Sequence, residues 1–240
     1  IDLDKDKDKD KDKDLDQIEG LDRIRISSIE ASQITDEVLE VLATSDKLCR
    51  HLHIPLQAGD DGVLRRMRRK YTVEEYRQKV FAIRQAIPDL AITTDVIVGF
   101  PGETEEQFQN GYRVIEEIGF SKLHVFPYSK RNGTPAAKMP DQVDEVVKRE
   151  RVARLLELSD RLALSYAKKF EGQVLEVIPE QPYKAETGMI VGHSDNYLQV
   201  AFEGSPEWLG KLVKVRLDKA DVQVQKGTFV RLVDKAAHRQ

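Results

Sequence analysis

Short apolar runs alternate with helical patterns through the first two-thirds of this chain. In the clearest example, apolar residues 91–100 end in a Gly-Phe-Pro-Gly turn, and Thr104 then begins an acidic amphipathic segment that runs to Gly119. Strands alternating with helices predict a parallel sheet of βα units. Four such units are too few to close an eight-stranded barrel, so the expected fold class is α/β with a partial (βα) barrel. The predicted strands are 23–30, 51–57, 91–100 and 122–129, and helices are predicted to begin after Thr35, Thr72 and Thr104.

The pattern changes character towards the C-terminus. A long helical pattern covers residues 141–170, and about five short alternating stretches separated by turn residues follow Gly172. Such spacing predicts a small all-β barrel of OB-like size. The expected domains are a charged segment and linker at 1–22, the α/β part at 23–167 and the β domain at 168–240.

The charged segment contains a strict Asp-Lys alternation from Asp4 to Asp14. Its acidic residues approach the spacing of an EF-hand loop, but Lys13 stands where that loop requires glycine. Any period-two aspartate repeat imitates this spacing, and the run has no apolar residue to bury. We therefore expect a solvated segment rather than a calcium site. The acidic positions concerned are Asp8, Asp10, Asp12, Asp16 and Glu19.

Composition limits the classes of protein. The net charge of −4 argues against a strongly basic nucleic-acid coat. Cys49 is the single cysteine, which excludes an intrachain disulfide and any cysteine-only metal site built by this sequence. The single cysteine favours a reducing, cytoplasmic location, and because there is no apolar run of 18 residues we expect no membrane partner. Because the sequence opens at Ile1 instead of methionine, we expect it to be part of a longer protein.

Polar residues follow the first two predicted strands. Ser28 and Glu30 end the first strand and Gln57 ends the second, where side chains of βα proteins often bind ligands. The alternative is that they face solvent or cap a turn. His51 and His53 share one face of their strand and could bind a metal, but no third ligand is spaced nearby, so a structural role is favoured.

The two later strand ends carry further candidates. Gly99 and Gly102 of the GFPG turn would allow the backbone to approach a ligand closely, although neither a P-loop nor a GxGxxG fingerprint is present. Tyr128, Ser129 and Arg131 suit a planar or anionic substrate, or else form an ordinary strand exit. The glutamates that open the intervening helix, Glu103, Glu105 and Glu106, fit its positive N-terminal end and are expected to be structural.

A basic cluster lies between the second strand and its helix. It predicts either a phosphate-binding patch or a solvated helix face. No Ser-His-Asp, Cys-His or paired-carboxylate arrangement is present, so the residues alone reveal no reaction. The cluster consists of Arg65, Arg66, Arg68, Arg69 and Lys70.

Four ordered segments nevertheless resemble one family. RIRISSIE, HLHIPLQAGDDGVLRRMRRKYTVEEY, TTDVIVGFPGETEEQF and LHVFPYSKRNGTPAA resemble the radical S-adenosylmethionine (radical SAM) methylthiotransferases, most closely the branch acting on threonylcarbamoyladenosine in tRNA. The β domain is similar to the TRAM domain, an RNA-binding barrel, at residues 172–176 and at GHSDNYLQV. The resemblance covers about residues 18–234.

The resemblance implies a cofactor pair and a partner. S-adenosylmethionine bound to a [4Fe-4S] cluster would yield a radical that abstracts hydrogen from adenine C2, where sulfur is inserted and methylated. The reductant and sulfur donor are unassigned, and tRNA is the implied partner. By position, the implied cofactor contacts are Ser28, Glu30, Gln57, Ile97, Gly99 and Phe100. The implied substrate contacts are Tyr128, Ser129 and Arg131, and the implied RNA contacts are Arg65, Arg66, Arg68, Arg69, Asn196 and Tyr197.

The sequence also departs from the family. It has no CxxxCxxC motif for the radical cluster and no upstream cluster domain, so we expect the chain to be inactive by itself. Between Ala167 and the C-terminus there are eleven basic and ten acidic residues, so this part is nearly neutral, which weakens a purely electrostatic case for RNA binding. The alternatives are a non-catalytic RNA-binding module, or a family member acting on isopentenyladenosine tRNA or a ribosomal protein.

Overall fold

A three-stranded parallel sheet forms the centre of the α/β part. The computed structural model describes residues 18–233, and the Asp-Lys run lies outside this range. Strand order is β1-β2-β3. β2 and β3 pair in parallel with Thr93 opposite Lys122 and Ile97 opposite Phe126. The strands are β1 (His51–His53), β2 (Ala91–Val98) and β3 (Lys122–Pro127).

Five α-helices occur in the described chain, and their starts follow local capping chemistry. Thr72 and Thr104 each accept a hydrogen bond from the N3 amide, and the N3 side chain returns one to the cap. These capping boxes satisfy amides that the first helical turn leaves without partners, which confirms both predicted helix starts. The helices are α1 (Asp36–Thr44), α2 (Asp61–Arg66), α3 (Val73–Ala86), α4 (Glu105–Ile118) and α5 (Glu145–Lys168). Short 3-10 helices span Ala31–Gln33, Pro135–Lys138 and Pro206–Trp208.

The predicted strand at 23–30 is wrong. Only Ile24 makes a β-bridge there, in parallel with Leu48. The neighbouring Arg23 instead reaches the main-chain oxygens of His193 and Glu176 at 3.1 and 2.6 Å. The alternation of apolar and charged residues therefore reflects arginine anchoring rather than a strand of the sheet.

The sheet has two unlike faces. Ile92, Thr94, Val96 and Val98 of β2 are buried against helices, whereas Asp95 and Ile97 keep partial exposure. Successive strand residues point to opposite sides, so the helix-covered face is apolar and the other face carries the remaining β2 side chains. We call this second side the open face.

The C-terminal strands close a barrel, as the sequence predicts. Their order is β4-β5-β6-β8-β7, with one parallel pair, β6–β8, and antiparallel pairs elsewhere. The interior includes fully buried Val177, Val200, Phe202, Val213 and Val215. The strands are β4 (Val174–Pro182), β5 (Met189–Ser194), β6 (Gln199–Glu203), β7 (Val213–Lys219) and β8 (Gln225–Leu232).

The chain divides into two units. One consists of Ile26–Thr44 and Leu52–Leu162 and contains most of the sheet and its helices. The other combines the chain from Ala163 onwards, which includes the end of α5 and the β-barrel, with two early segments, the chain up to Arg25 and Ser45–His51. A single sequence break therefore does not separate the units.

Candidate functional site

The C-terminal ends of the three strands form one edge. Gln57 continues the pairing beyond β1, because its amide donates to the Asp95 oxygen at 2.9 Å and its oxygen accepts from Ile97 at 2.8 Å. Gln57 has a φ of 66°, in the left-handed region that few non-glycine residues occupy. Across β3, the Tyr128 amide donates to Val98 at 2.8 Å. The structure thus brings Gln57, Ile97 and the exits of β2 and β3 together.

The segment that precedes α1 reaches the same edge without forming a strand. The Ile29 amide donates to the His53 oxygen at 3.0 Å, which fixes the neighbouring exposed Ser28 and Glu30 near the end of β1. The Glu30 carboxylate lies 4.0 Å from the Arg69 guanidinium. An exposed acceptor is available here for a ligand.

Gly99 opens the turn after β2 with a φ of 71°. A Cβ at this position would collide with the aliphatic part of the Lys148 side chain from α5. Close approach of a ligand was the sequence interpretation of this glycine. In the structure, the Lys148 side chain occupies that space, so packing within the protein is enough to require glycine at position 99.

Buried charges from α5 hold this turn. Glu103 accepts from the Gly99 amide at 3.1 Å and from the Arg151 guanidinium at 2.7 Å. Burial raises the pKa of Glu103, and the Gly99 amide and Arg151 oppose that rise. Lys148, also buried, donates to the Tyr128 oxygen at 3.0 Å and pairs with Glu145. One helix therefore fixes both the β2 and β3 exits.

The basic cluster does not form one free surface. Arg66 donates to the oxygens of Pro101 and Gly102, each at 3.1 Å, and to Gln107 at 2.7 Å. Its guanidinium ties α2 to the GFPG turn and is not a freely exposed cation. Arg65 and Arg68 are exposed, so these two side chains are accessible for the phosphate contacts that the sequence predicts for the cluster.

The predicted substrate residues after β3 differ in their surroundings. The Tyr128 ring packs edge-on against Phe100, with ring centres 5.3 Å apart, beside an apolar cluster that includes Val63 and Leu64. Its hydroxyl is buried without a hydrogen-bond partner among the described residues. Ser129 and Arg131 are exposed and available for contact.

Sequence reasoning missed a group of polar side chains on the open face. His53 contacts the Thr93 hydroxyl through Nδ1 at 2.9 Å and the Asp95 carboxylate through Nε2 at 3.3 Å. The His124 ring centre lies 5.5 Å from that of His53. Partial burial and the neighbouring His53 lower the pKa of His124, although Asp95 opposes the shift. Alternation within each predicted strand is the available signal, but it does not show which residues of neighbouring strands lie side by side.

Two predicted RNA contacts lie in the turn between β5 and β6. Asn196 is buried, and its side-chain oxygen accepts from the Ser194 hydroxyl. Tyr197 already stacks with His51 and His193, at centroid distances of 4.4 and 4.9 Å. Asn196 is therefore held within its own turn, whereas Tyr197 is stacked within the protein and still 39% exposed, so RNA contact stays a prediction for these two residues.

The described residues do not provide ligands for an iron–sulfur cluster. Such clusters are held mainly by several cysteine thiolates, whereas Cys49 is alone and buried. Burial also raises the pKa of its thiol, which favours the protonated, non-ligating form. Between residues 18 and 233, no three histidine, cysteine or acidic side chains form a group able to hold a metal.

None of the helices in the described range is both long and apolar enough to span a bilayer.

Comparison with known proteins finds the Radical SAM superfamily model at residues 2–115 and the TRAM domain model at 168–230. A solved structure of coproporphyrinogen III oxidase from Escherichia coli, described as a radical SAM enzyme, covers 81% of this chain and 46% of its own, with 16% identity and a TM-score of 0.50. That likeness concerns the fold alone.

Two curated relatives are similar over most of this chain. Threonylcarbamoyladenosine tRNA methylthiotransferase MtaB of Bacillus subtilis (strain 168) is 58% identical over 220 residues, covering 91% of this chain and 49% of the relative. The tRNA-2-methylthio-N(6)-dimethylallyladenosine synthase of Thermoanaerobacter sp. (strain X514) is 40% identical over 219 residues, covering 91% and 46%. The chain spans about half the length of these relatives. Taken with the parallel sheet and the closed barrel, these matches show that the chain belongs to the radical SAM methylthiotransferase family.

Proposed function

We propose that this chain is part of a tRNA methylthiotransferase whose substrate is N6-threonylcarbamoyladenosine near the anticodon. The observation that carries the proposal is the 58% identity to the B. subtilis relative, against 40% to the dimethylallyladenosine enzyme over the same share of the chain. The product would be the 2-methylthio derivative. A cytoplasmic location is inferred with the tRNA substrate.

The strand-end edge supports binding of S-adenosylmethionine. Exposed Ser28 and Glu30 offer acceptors for its polar groups, and half-buried Ile97 offers an apolar surface for its adenine. When bound together with a [4Fe-4S] cluster, this cofactor supplies radical and methyl-transfer chemistry. Among the described residues, none forms a set of ligands for that cluster.

The contribution of this chain is then positioning. Lys148 and Arg151 hold the two strand exits, so the residues around Gly99 and Tyr128 meet the ligand in one fixed geometry. Exposed Arg65, Arg68 and Arg131 supply cations for tRNA phosphates. Fixing ligand and substrate before the reaction lowers the entropic part of the barrier.

The test is mass spectrometry of tRNA nucleosides from cells that lack the intact parent gene. We expect loss of 2-methylthio-N6-threonylcarbamoyladenosine and its recovery on complementation with the intact gene. Loss of the isopentenyl derivative instead would assign the other tRNA branch. An unchanged profile in cells without a redundant enzyme would refute the methylthiotransferase proposal.

A second candidate is a non-catalytic RNA-binding module, supported by the closed barrel and by the match of the TRAM domain model to residues 168–230. Its test is fluorescence anisotropy of a labelled anticodon stem-loop with the 240-residue chain. Salt-dependent binding weakened by Arg65→Gln and Arg68→Gln would support RNA contact by this chain. Binding without effect on the nucleoside profile would favour this candidate over the enzyme.

A further inference from the structure

Three polar side chains, His53, Asp95 and His124, lie side by side on the open face, close to the C-terminal ends of the strands. We call them the polar layer. Asp95 and His124 are register partners on β2 and β3, and His53 of β1 lies 3.3 Å from the Asp95 carboxylate. The side chains of His53 and Asp95 are 14% and 30% exposed. They are therefore neither in the apolar core nor fully solvated.

Hydrogen bonding assigns the roles of His53 and Asp95. A carboxylate can only accept, so the His53 Nε2 carries the proton shared with Asp95. The Nδ1 atom then accepts from the Thr93 hydroxyl at 2.9 Å. This series of contacts from Thr93 through His53 orients the Asp95 carboxylate and engages its Oδ2 atom, so Oδ1 remains as a second acceptor.

His124 complements that acceptor. Its pKa is lowered, so the ring is neutral near pH 7 and offers one N–H donor and one acceptor nitrogen. Neighbouring strands are separated by about 5 Å, so a donor and an acceptor lie side by side. Asp95 is the acidic residue of the layer, and a carboxylate at this position disfavours a phosphate or free carboxylate as ligand.

Two residues further along β2 and β3, towards the C-terminal ends of the strands, the next pair of residues on this face is apolar. Ile97 lies opposite Phe126 on the same face, and Phe126 is 50% exposed. A flat ring resting on these two residues would direct its polar edge towards Asp95 and His124. An exposed apolar surface beside a matched donor and acceptor is typical of a site for a planar heterocycle.

We propose that the polar layer recognises the amino edge of an adenine ring, with Asp95 accepting from the exocyclic amine and His124 donating to a ring nitrogen. The inference rests on the proposed function, in which both the cofactor and the tRNA target contain adenine. These two sources share the chemistry that the layer would recognise. Asp95 and His124 are then specificity residues, and His53 is a positioning residue acting through Asp95.

The test compares adenosine with inosine, which has a carbonyl in place of the amine. Binding to the 240-residue chain is followed by NMR of the histidine ring protons, with His53→Gln and His124→Phe used for assignment. We expect adenosine to shift the His124 signals and to bind about tenfold more tightly than inosine, because an unpaired buried polar group penalises the wrong ligand.

Asp95→Asn should abolish or reverse that preference, since an amide can donate to the inosine carbonyl. Loss of fold would affect both ligands equally, whereas an exchanged preference requires recognition. Asp218→Asn, an exposed acid on β7, makes the same charge change and should retain the preference for adenosine. Unshifted His124 signals with both nucleosides, or an unchanged preference in Asp95→Asn, would overturn the proposal.

Two further probes distinguish the source of the adenine. Competition of adenosine by S-adenosylmethionine but not by an anticodon stem-loop assigns the layer to the cofactor, and the opposite result assigns it to the tRNA base. Competition by neither contradicts a role in this reaction. A preference for adenosine together with an unchanged nucleoside profile would refute the proposed function while retaining the adenine site.

Discussion

The Glu103–Arg151 pair provides a quantitative test of how α5 supports the candidate site. Its guanidinium and carboxylate are only 5% and 4% exposed and lie 2.7 Å apart. Arg151→Met would leave a buried carboxylate without its cation, and removing one partner of a buried pair costs about 3–5 kcal/mol. We expect a loss of this size in the free energy of unfolding.

Arg154→Met is the matched control. Arg154 lies three residues further along α5, pairs with Glu105 and also lies over the Phe108 ring, but its side chain is 41% exposed. An exposed pair contributes about 0–1 kcal/mol. The two substitutions remove the same chemical group, so their difference isolates burial.

The assay is urea unfolding followed by two signals. Far-UV circular dichroism reports mainly the helices, whereas the fluorescence of Trp208, the one tryptophan, reports the barrel. The helical transition should move to lower urea in Arg151→Met and hardly move in Arg154→Met. Equal shifts in the two variants, or a loss below about 1 kcal/mol for Arg151→Met, would refute the reasoning.

A double variant and a pH series sharpen the result. Glu103→Gln with Arg151→Met should lose less stability than the sum of the single changes, because no buried charge is left alone. The pKa of Glu103 is raised in the folded protein and should rise further without Arg151. A raised acid pKa means that the folded state binds the proton more tightly, so stability falls as pH rises from the unfolded towards the folded value. The cost of Arg151→Met should therefore be smaller below this window than at neutral pH.

Three further predictions concern the fold. A Cβ at Gly59 would lie 2.6 Å from the Gly111 Cα, so Gly59→Ala should lower the melting temperature. A Cβ at Gly111 would lie 3.4 Å or more from its nearest neighbours, so Gly111→Ala should be neutral or stabilising by up to about 1 kcal/mol in urea unfolding. The buried Tyr76 hydroxyl donates to the Ile54 oxygen at 2.6 Å, and Tyr76→Phe should cost about 1–2 kcal/mol in the same assay; no loss would mean that the bond is not formed. Hydrogen bonds from the N-cap Thr72 lower the pKa of Glu75, so the stability that this cap provides is lost as pH falls through the folded pKa. Glu75→Gln should therefore make the melting temperature depend less on pH in the acid range. An unaltered dependence would contradict this.

Local chemistry was predictable from the sequence, while contacts set by strand register were not. Thr72 and Thr104 cap helices because capping depends on residues three positions apart. Asp95 faces His124 only because β2 and β3 pair in one particular register. Hydrophobic patterns do not specify that register between separate strands.

The same limit explains the reassigned residues. Gly99 packs against Lys148, which lies 49 positions later, and the sequence gives no sign of that neighbour. The Arg66 side chain turns towards the GFPG turn, although its sequence neighbours Arg65 and Arg68 are exposed. Charge clustering in the sequence therefore predicted cations but not which of them remain free.

The anchoring of Arg23 and Arg25 has a consequence for synthesis on the ribosome. Their side chains donate to main-chain oxygens of the barrel, at sequence separations of 153 to 170 residues. Because a protein is synthesised from its N-terminus, at least 153 further residues are made after these arginines before their acceptors exist. The sheet unit ends at Leu162 and can fold while the barrel is still being made. Nascent chains halted before β4 should therefore hold a folded sheet unit and an arginine segment whose acceptors do not yet exist.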